Sequence, residues 1–393
     1  MSRPTVINAK TLGDCSAPSE IVDTKNNAIH YHRSDLGRGG YRMVESLEVK
    51  NFRCFQDLKL HDLKRINLIV GLNSSGKTAL LESIFITAGA NPEIALRVRA
   101  LRGFGQLVQI SADRNAYESL WKDLFFNFDQ EKTISCKLIG SPANTRSVDI
   151  SYRKEEPLTL PFGTDTLESP LIIPIVFEWK DHKGELFKTQ VKITEKGLTF
   201  EGVGEALPVY FFSSAATALS SPTENSNRFS ELSKQGKEGR VIETLKKEFS
   251  FIKDISIQMN AGVAMLYASV SYLGDKIPIG TLSGGINKLL SLLLAIADKK
   301  QGVILIDEVE NGFYHSKLPD IWRMMLEFCK SNDVQIFAST HSWECLRAAA
   351  SLAEKHEKDF CLLRTERENG KCNVLQFSGK HFKQAIEQDI DPR

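Results

Sequence analysis

The sequence predicts an α/β fold in which a parallel core is joined to a separate antiparallel β layer, and three observations carry that expectation. A glycine-rich turn, Gly71 to Thr78, follows a short β-rich run and precedes a helical stretch. The C-terminal third alternates helix with short apolar strand, the pattern of parallel βαβ units. Between about 130 and 212, strand-like runs such as TISCKLIG, SVDISY and TQVKIT are separated by Gly, Pro, Asn and Asp clusters, as in an antiparallel layer.

Composition narrows the class. The chain has 393 residues, 42% hydrophobic and 25% charged, which supplies a buried core and excludes a mainly disordered or fibrous protein. That length fits either two or three average domains or one large core with insertions. Fifty Lys and Arg against 49 Asp and Glu leave a net charge of +1, so there is no global electrostatic drive toward nucleic acid or membrane. The apolar runs at 170–177 and 289–297 fall well short of the ~20 residues that cross a bilayer. The N-terminus lacks the apolar core of a secretory signal, and a cytoplasmic protein is expected. The seven cysteines are scattered, with no C-x-x-C spacing, and read as reduced packing thiols.

Along the chain, residues 1–42 are polar and glycine-punctuated and read as a flexible extension, with Met43 as an alternative start. Residues 43–212 form a first lobe that carries the glycine-rich turn and the β layer. Residues 213–252 turn polar and then helical, with Lys234, Lys237, Arg240, Lys246 and Lys247 concentrated there, and predict a helical arm that is either simply solvated or a contact for nucleic acid or a partner. Residues 253–393 form a second lobe: a helix from Gly284, strand VILI, a helix from Lys317, strand QIFA, a helix from Trp343 and strand FCLL.

GLNSSGKT, Gly71 to Thr78, fits G-x-x-x-x-G-K-[ST] between a strand and a helix. Small residues let successive backbone N–H groups curl around a phosphate, and the helix N-terminus adds partial positive charge. Gly71, Asn73, Ser74, Ser75, Gly76, Lys77 and Thr78 are the candidate nucleotide contacts. Lys77 would reach the β and γ phosphates, and Thr78 would ligate Mg2+. Downstream, VILIDE (Val303 to Glu308) ends an apolar strand in two carboxylates. Asp307 is the second candidate for holding Mg2+, and Glu308 the candidate for orienting and polarising an attacking water.

TLSGGINKLL (Thr281 to Leu290) opens a helix at Ser283, Gly284 and Gly285, which by itself reads as an N-cap serine with two tolerated glycines. Lying 24 residues before Asp307, it resembles the LSGGQ signature of ABC-type ATPases, with Ile286 where many members have Gln. The resemblance implies that Ser283, Gly284 and Gly285 meet the γ-phosphate held by an opposite subunit, so that two heads close around two ATP molecules. IFASTHS ends a strand with His341, which is similar in place to the switch histidine of those ATPases. Glu310, Asn311 and His315 occupy the place of the subunit-contacting loop, or alternatively cap a helix.

The opening LEVKNFRCFQDLKL followed by INLIVGLNSSGKTALLESI resembles the SMC/RecF/OLD group, and DEVENGFYHSKLPDIW with STHSWECLRAA is similar to AAA-family ATP-binding proteins of prokaryotic defence operons. The fold implied is a P-loop NTPase, an ABC-type head with an antiparallel β layer and a helical arm insertion. The function implied is a Mg2+-dependent ATPase whose ATP-driven head dimerisation controls a protein effector, a nuclease in anti-phage defence; the alternative is a RecF/SMC-like ATPase acting on DNA, and a third is a nucleotide-gated scaffold. The chain is expected not to be a nuclease itself, because too few residues follow His341 for an appended nuclease domain. Arg53 is a candidate phosphate contact by analogy with SMC-type heads, or a surface salt-bridge residue. Gln106 and Gln109 both remain open as the glutamine linking the ATP site to the arm.

Overall fold

The computed structural model describes residues 5–7, 43–99, 102, 114–140, 144–153, 158–159, 171–194, 197–200, 206–214, 222–298, 302–378 and 380–387. The first half runs β1 (Thr5–Ile7), β2 (Val44–Phe52), β3 (Phe55–Leu60), β4 (Ile66–Val70), α1 (Lys77–Ala88), α2 (Glu93–Arg99), α3 (Arg114–Lys122), β5 (Ile134–Gly140), β6 (Asn144–Tyr152), β7 (Leu158–Thr159), β8 (Leu171–Ile172), β9 (Ile175–Lys180), β10 (Leu186–Thr194), β11 (Gly197–Phe200) and β12 (Val209–Phe212). The second half runs α4 (Pro222–Lys234), α5 (Glu238–Glu248), β13 (Ile252–Asn260), β14 (Val263–Val270), β15 (Ile277–Pro278), α6 (Gly284–Asp298), β16 (Val303–Ile306), α7 (Leu318–Asn332), β17 (Gln335–Ser339), α8 (Trp343–Ala353), β18 (Phe360–Glu368), β19 (Lys371–Ser378) and α9 (Lys380–Glu387).

The central sheet has the order β12-β16-β17-β4-β18-β19, parallel throughout except for the antiparallel β19. Its inner strands, VILI, INLIV and QIFAS, are buried at every position, which is why they read as continuous apolar runs. Successive side chains on a strand point to opposite faces. Ile304 and Ile306 therefore enter one core with α6, α7 and α8, while Val303 and Leu305 enter a second with α1 and the antiparallel layer. The sheet is the partition between two cores.

The antiparallel layer is eight-stranded, in the order β1-β11-β10-β9-β6-β5-β2-β3. Its β5 alternates buried with half-buried residues, the mark of a sheet covered on one face. Helix α1 lies between the two sheets and is buried at all ten positions from Ala79 to Ala88. Truncating a side chain such as Leu80 there would cost about 2–5 kcal/mol. The pairing of β1 with β11 puts Thr5–Ile7 in this layer, so the expected extension includes an edge strand, and the rest of 1–42 lies outside the described residues.

The expected helical insertion is present as α4 and α5, but it does not project as an arm. Phe229, Leu232, Val241 and Leu245 fall on one side of the pair and are buried in the core with β13, β14 and α6. Apolar residues at helical spacing cannot stay in water while such a surface is within reach. Lys234, Lys237 and Lys247 are exposed and Lys246 half-buried. Lys234 pairs with Glu231 at 2.6 Å and Lys246 with Glu243 at 2.9 Å. Six Lys and Arg face five Glu between 222 and 248, so the positive excess expected of this segment comes to one charge.

The lobes 43–212 and 253–393 remain assignments along the chain; in space β4 of the first lies between β17 and β18 of the last. Among the described residues, no helix is long and apolar enough to cross a membrane. Cys54, Cys136, Cys329, Cys345, Cys361 and Cys372 carry free thiols, all but Cys54 buried, and burial pushes the Cys136, Cys345 and Cys361 thiols up to about 12.

Candidate active site

The glycine-rich turn leaves β4 at Gly71, with φ 141°, passes Ser74 at φ 63°, and enters α1 through Gly76 at φ 109°. Side chains fit poorly at both glycines. A Cβ on Gly71 would stand 2.3 Å from the Thr365 carbonyl oxygen on β18, and one on Gly76 would stand 2.9 Å from Cys54 Sγ in the β2–β3 turn. The turn is thus wedged between two elements remote in sequence. Thr365 Oγ1 donates to the Val70 carbonyl at 3.0 Å and also contacts Ser75 Oγ, bracing the loop from beneath.

Glycine at the N-cap of α1 offers no side-chain acceptor to the first-turn N–H groups. Those donors are left for an anion, and the helix dipole favours one there. By contrast α8 is capped by Ser342, whose Oγ accepts from Cys345 N at 3.1 Å. Lys77 folds back over the loop, donating to the Gly71 and Leu72 carbonyls at 2.7 and 3.0 Å. Burial pulls its ammonium below the usual lysine range, against the opposing pull of Asp307, Glu308 and Glu310.

Asp307 leaves the end of β16 and is held from three sides. Thr78 Oγ1 donates to its Oδ2 at 3.1 Å, Ser214 Oγ donates to the same oxygen at 3.3 Å, and Ser339 Oγ donates to Oδ1. Ser339 Oγ also accepts from the Glu308 backbone N–H at 2.9 Å, so one hydroxyl on β17 fixes both acids. Glu308 adopts φ 53°, a strained left-handed backbone for a non-glycine residue. Its Oε2 accepts from Asn311 Nδ2 at 2.5 Å, and its Oε1 lies 3.9 Å from His341 Nδ1. His341 is half-exposed and held by Glu310, whose Oε1 accepts from its backbone N–H at 3.0 Å and lies 3.0 Å from Nδ1. A carboxylate beside Nδ1 leaves Nε2 as the ring atom free to meet a ligand.

The structure therefore brings Lys77, Thr78, Asp307, Glu308, Glu310, Asn311 and His341 to the C-terminal ends of three adjacent strands, β4, β17 and β16. Thr78 and Asp307 provide two hard oxygen donors side by side, a set that suits Mg2+ completing its shell with phosphate oxygens and water. Among the described residues, no group of three or more His, Cys, Asp and Glu could hold a metal by itself.

Ser283 and Gly284 stand exposed at the start of α6, and Ser283 Oγ accepts from Ile286 N at 3.2 Å as an N-cap does. Gly285 packs on the turn after the acidic pair, where a Cβ would stand 2.5 Å from the Gly312 carbonyl oxygen. His315 lies beyond that turn with Tyr314 against its ring. Arg53 is placed away from the surface: its guanidinium pairs with Glu82 of α1 at 3.2 Å and Asp123 at 2.6 Å, while Arg102 takes Glu82 in a bidentate pair. Gln106 and Gln109 lie outside the described residues. Ser339, Ser214, Thr365 and Lys288 were not singled out in the sequence. Ser339 lies in the motif IFASTHS, and Lys288 is the one charged residue inside an apolar helical run.

A parallel sheet with a glycine-rich phosphate loop on one strand and an acidic pair two strands away defines a P-loop ATPase head. The chain belongs to the AAA ATPase domain family, whose profile matches residues 43–259 and 186–346. It is 22% identical over 351 residues to an ATP/GTP phosphatase of Helicobacter pylori, a match covering 81% of this chain and 90% of that protein. A DNA replication and repair protein RecF of Nitrosococcus oceani is 42% identical over 43 residues, 11% of this chain and 12% of its own length. Among solved structures, an SMC head bound to the C-winged helix domain of ScpA is 15% identical, with coverage of 85% and 98% and a TM-score of 0.44.

Proposed function

We propose that this ATPase hydrolyses ATP with Mg2+ at a site completed by a second copy of the chain, and that closure of the two heads acts on DNA. The observation that carries the hydrolytic reading is the 3.1 Å contact of Thr78 with Asp307, with Glu308 and His341 beside it. Lys77 exchanges its loop carbonyls for the β and γ phosphates, with the α1 N-terminus as the second cationic wall. Thr78 and Asp307 would hold Mg2+, which neutralises phosphate charge when bound. Glu308 orients and polarises the attacking water, and His341, set by Glu310, meets the γ-phosphate. Ser283 and Gly284 are exposed at the start of α6, which supports their use toward an opposite copy.

DNA as the target is supported by the short RecF match. The reading that closure instead controls a protein effector, a nuclease in anti-phage defence, rests on the likeness of Asp307–Trp322 and Ser339–Ala349 to defence-operon ATPases. Turnover of ATP by the purified chain and by Glu308→Gln tests the chemistry. The variant, with side-chain volume kept and basicity lost, is expected to bind ATP and lose at least a hundred-fold in kcat. Equal turnover in both would assign the water to another residue. Stimulation of turnover by duplex DNA, weakening with salt, separates the DNA reading from the effector reading.

A further inference from the structure

Lys288 lies in the second turn of α6 and is only 3% exposed, an unusual place for a lysine. Its ammonium donates to the Glu308 carbonyl at 3.0 Å and to the Asn311 carbonyl at 2.7 Å, and lies 5.4 Å from the Phe313 ring centroid. Those two carbonyls are the two ends of one turn. Within that turn Glu308 holds its left-handed φ of 53°, and Asn311 donates to its Oε2. One turn earlier on α6, Gly285 touches Gly312 of the same segment. Solvation alone would put Lys288 outside; a buried cation persists where its bonds compensate the lost water.

We infer that Lys288 is a positioning residue for ATP hydrolysis: it clamps the 308–311 turn so that the Glu308 carboxylate is held toward the attacking water, and ties that aim to the helix that begins at Ser283. Strained backbone at a functional residue needs surrounding contacts to over-determine it. Here they are Ser339 on the Glu308 N–H and Lys288 on the Glu308 carbonyl. Removing the ammonium takes its bond from the Asn311 carbonyl and leaves the Glu308 carbonyl with the Asn311 N–H at 3.1 Å, and the turn relaxes toward ordinary φ, swinging the carboxylate away. The effect falls on the chemical step, because Lys288 makes no contact with the phosphate loop among its described bonds.

This inference rests on the hydrolytic role proposed for Glu308. That role is checked first, by turnover in the wild type and its loss in Glu308→Gln. Lys288→Met and Lys288→Gln are then compared with wild type in ATP affinity, single-turnover rate and thermal melting, using whichever variant melts with wild-type cooperativity. The expected result is a ten-fold or greater loss in rate with ATP affinity within about two-fold. In the Glu308→Gln background, the same change is expected to have no further effect. An unchanged rate, an affinity that falls in step with the rate, or an equal loss in both backgrounds would overturn the clamp. A wild type with no turnover, or a Glu308→Gln as fast as wild type, would instead overturn the hydrolytic reading beneath it.

Discussion

Thr78 Oγ1 donates to Asp307 Oδ2 at 3.1 Å, joining the first turn of α1 to the end of β16 across 229 residues of chain. The contact exists because β17, drawn from still later in the sequence, pairs with both β4 and β16 and sets their ends level.

Lys77→Ala is expected to cost at least a hundred-fold in ATP affinity, because it removes the cation facing the β and γ phosphates. The fold should persist, since among the described residues Lys77 bonds to loop carbonyls. Titration with a fluorescent ATP analogue reads this, and wild-type affinity would exclude Lys77 from the site.

Gly71→Ala should lower stability by about 1–3 kcal/mol, the scale of a strained backbone residue. At φ 141° a Cβ is disfavoured in itself, and this one would press on the Thr365 carbonyl oxygen at 2.3 Å. A melting temperature equal to wild type would mean that β18 yields at no cost.

A composite site makes a mixing prediction. Ser283→Arg and Lys77→Ala each spoil both sites of their own homodimer, but a mixed dimer keeps one site whole. Random pairing then restores roughly a quarter of wild-type turnover when two inactive proteins are combined. A mixture as inactive as its components, at concentrations where ATP drives association of the wild type, would sink the two-copy site.

Lys288 gives a pH dependence with a definite sign. Burial lowers its ammonium to about 8 from an ordinary 10.5, even with Glu310, Cys345, Glu308 and Asp307 facing it. Below pH 8 the folded and unfolded chains both carry the proton, and the fold bears the full cost of burying it. As pH rises from about 8 toward 10.5 the folded chain releases the proton first, so its stability rises. Wild type should therefore gain stability relative to Lys288→Met over that window, measured by urea unfolding at fixed pH values. A flat or falling difference would show that the amine stays charged.

What could be read from the sequence was what short spacing encodes. Gly71 to Thr78 specifies a phosphate loop because the glycines, the lysine and the hydroxyl act within one turn of chain. Val303 to Glu308 specifies a buried strand ending in acids because period and composition coincide over six residues. The alternation of helices and strands after Gly284 specified a parallel sheet for the same local reason. Strand order was not local: β4 sits between β17 and β18, and only their backbone ladders decided that the acids of β16 would end beside Thr78.

Tertiary packing also decided the matters of environment. The lysines between 234 and 247 looked like a basic arm, yet the apolar face of α4 and α5 drew the pair onto β14 and α6 and left Lys234 and Lys246 beside their own glutamates. Arg53 stood in a motif that suggested phosphate, and in the fold its guanidinium pairs with the buried Glu82 and the half-buried Asp123. Lys288 stood in an apolar run as a break in pattern, and became a buried cation because two carbonyls and a ring from a turn some twenty residues downstream enclose it. Sequence spacing fixes which side chains share a local face; the partner that desolvates or neutralises a charge comes from elsewhere in the chain, and is known only once the chain is folded.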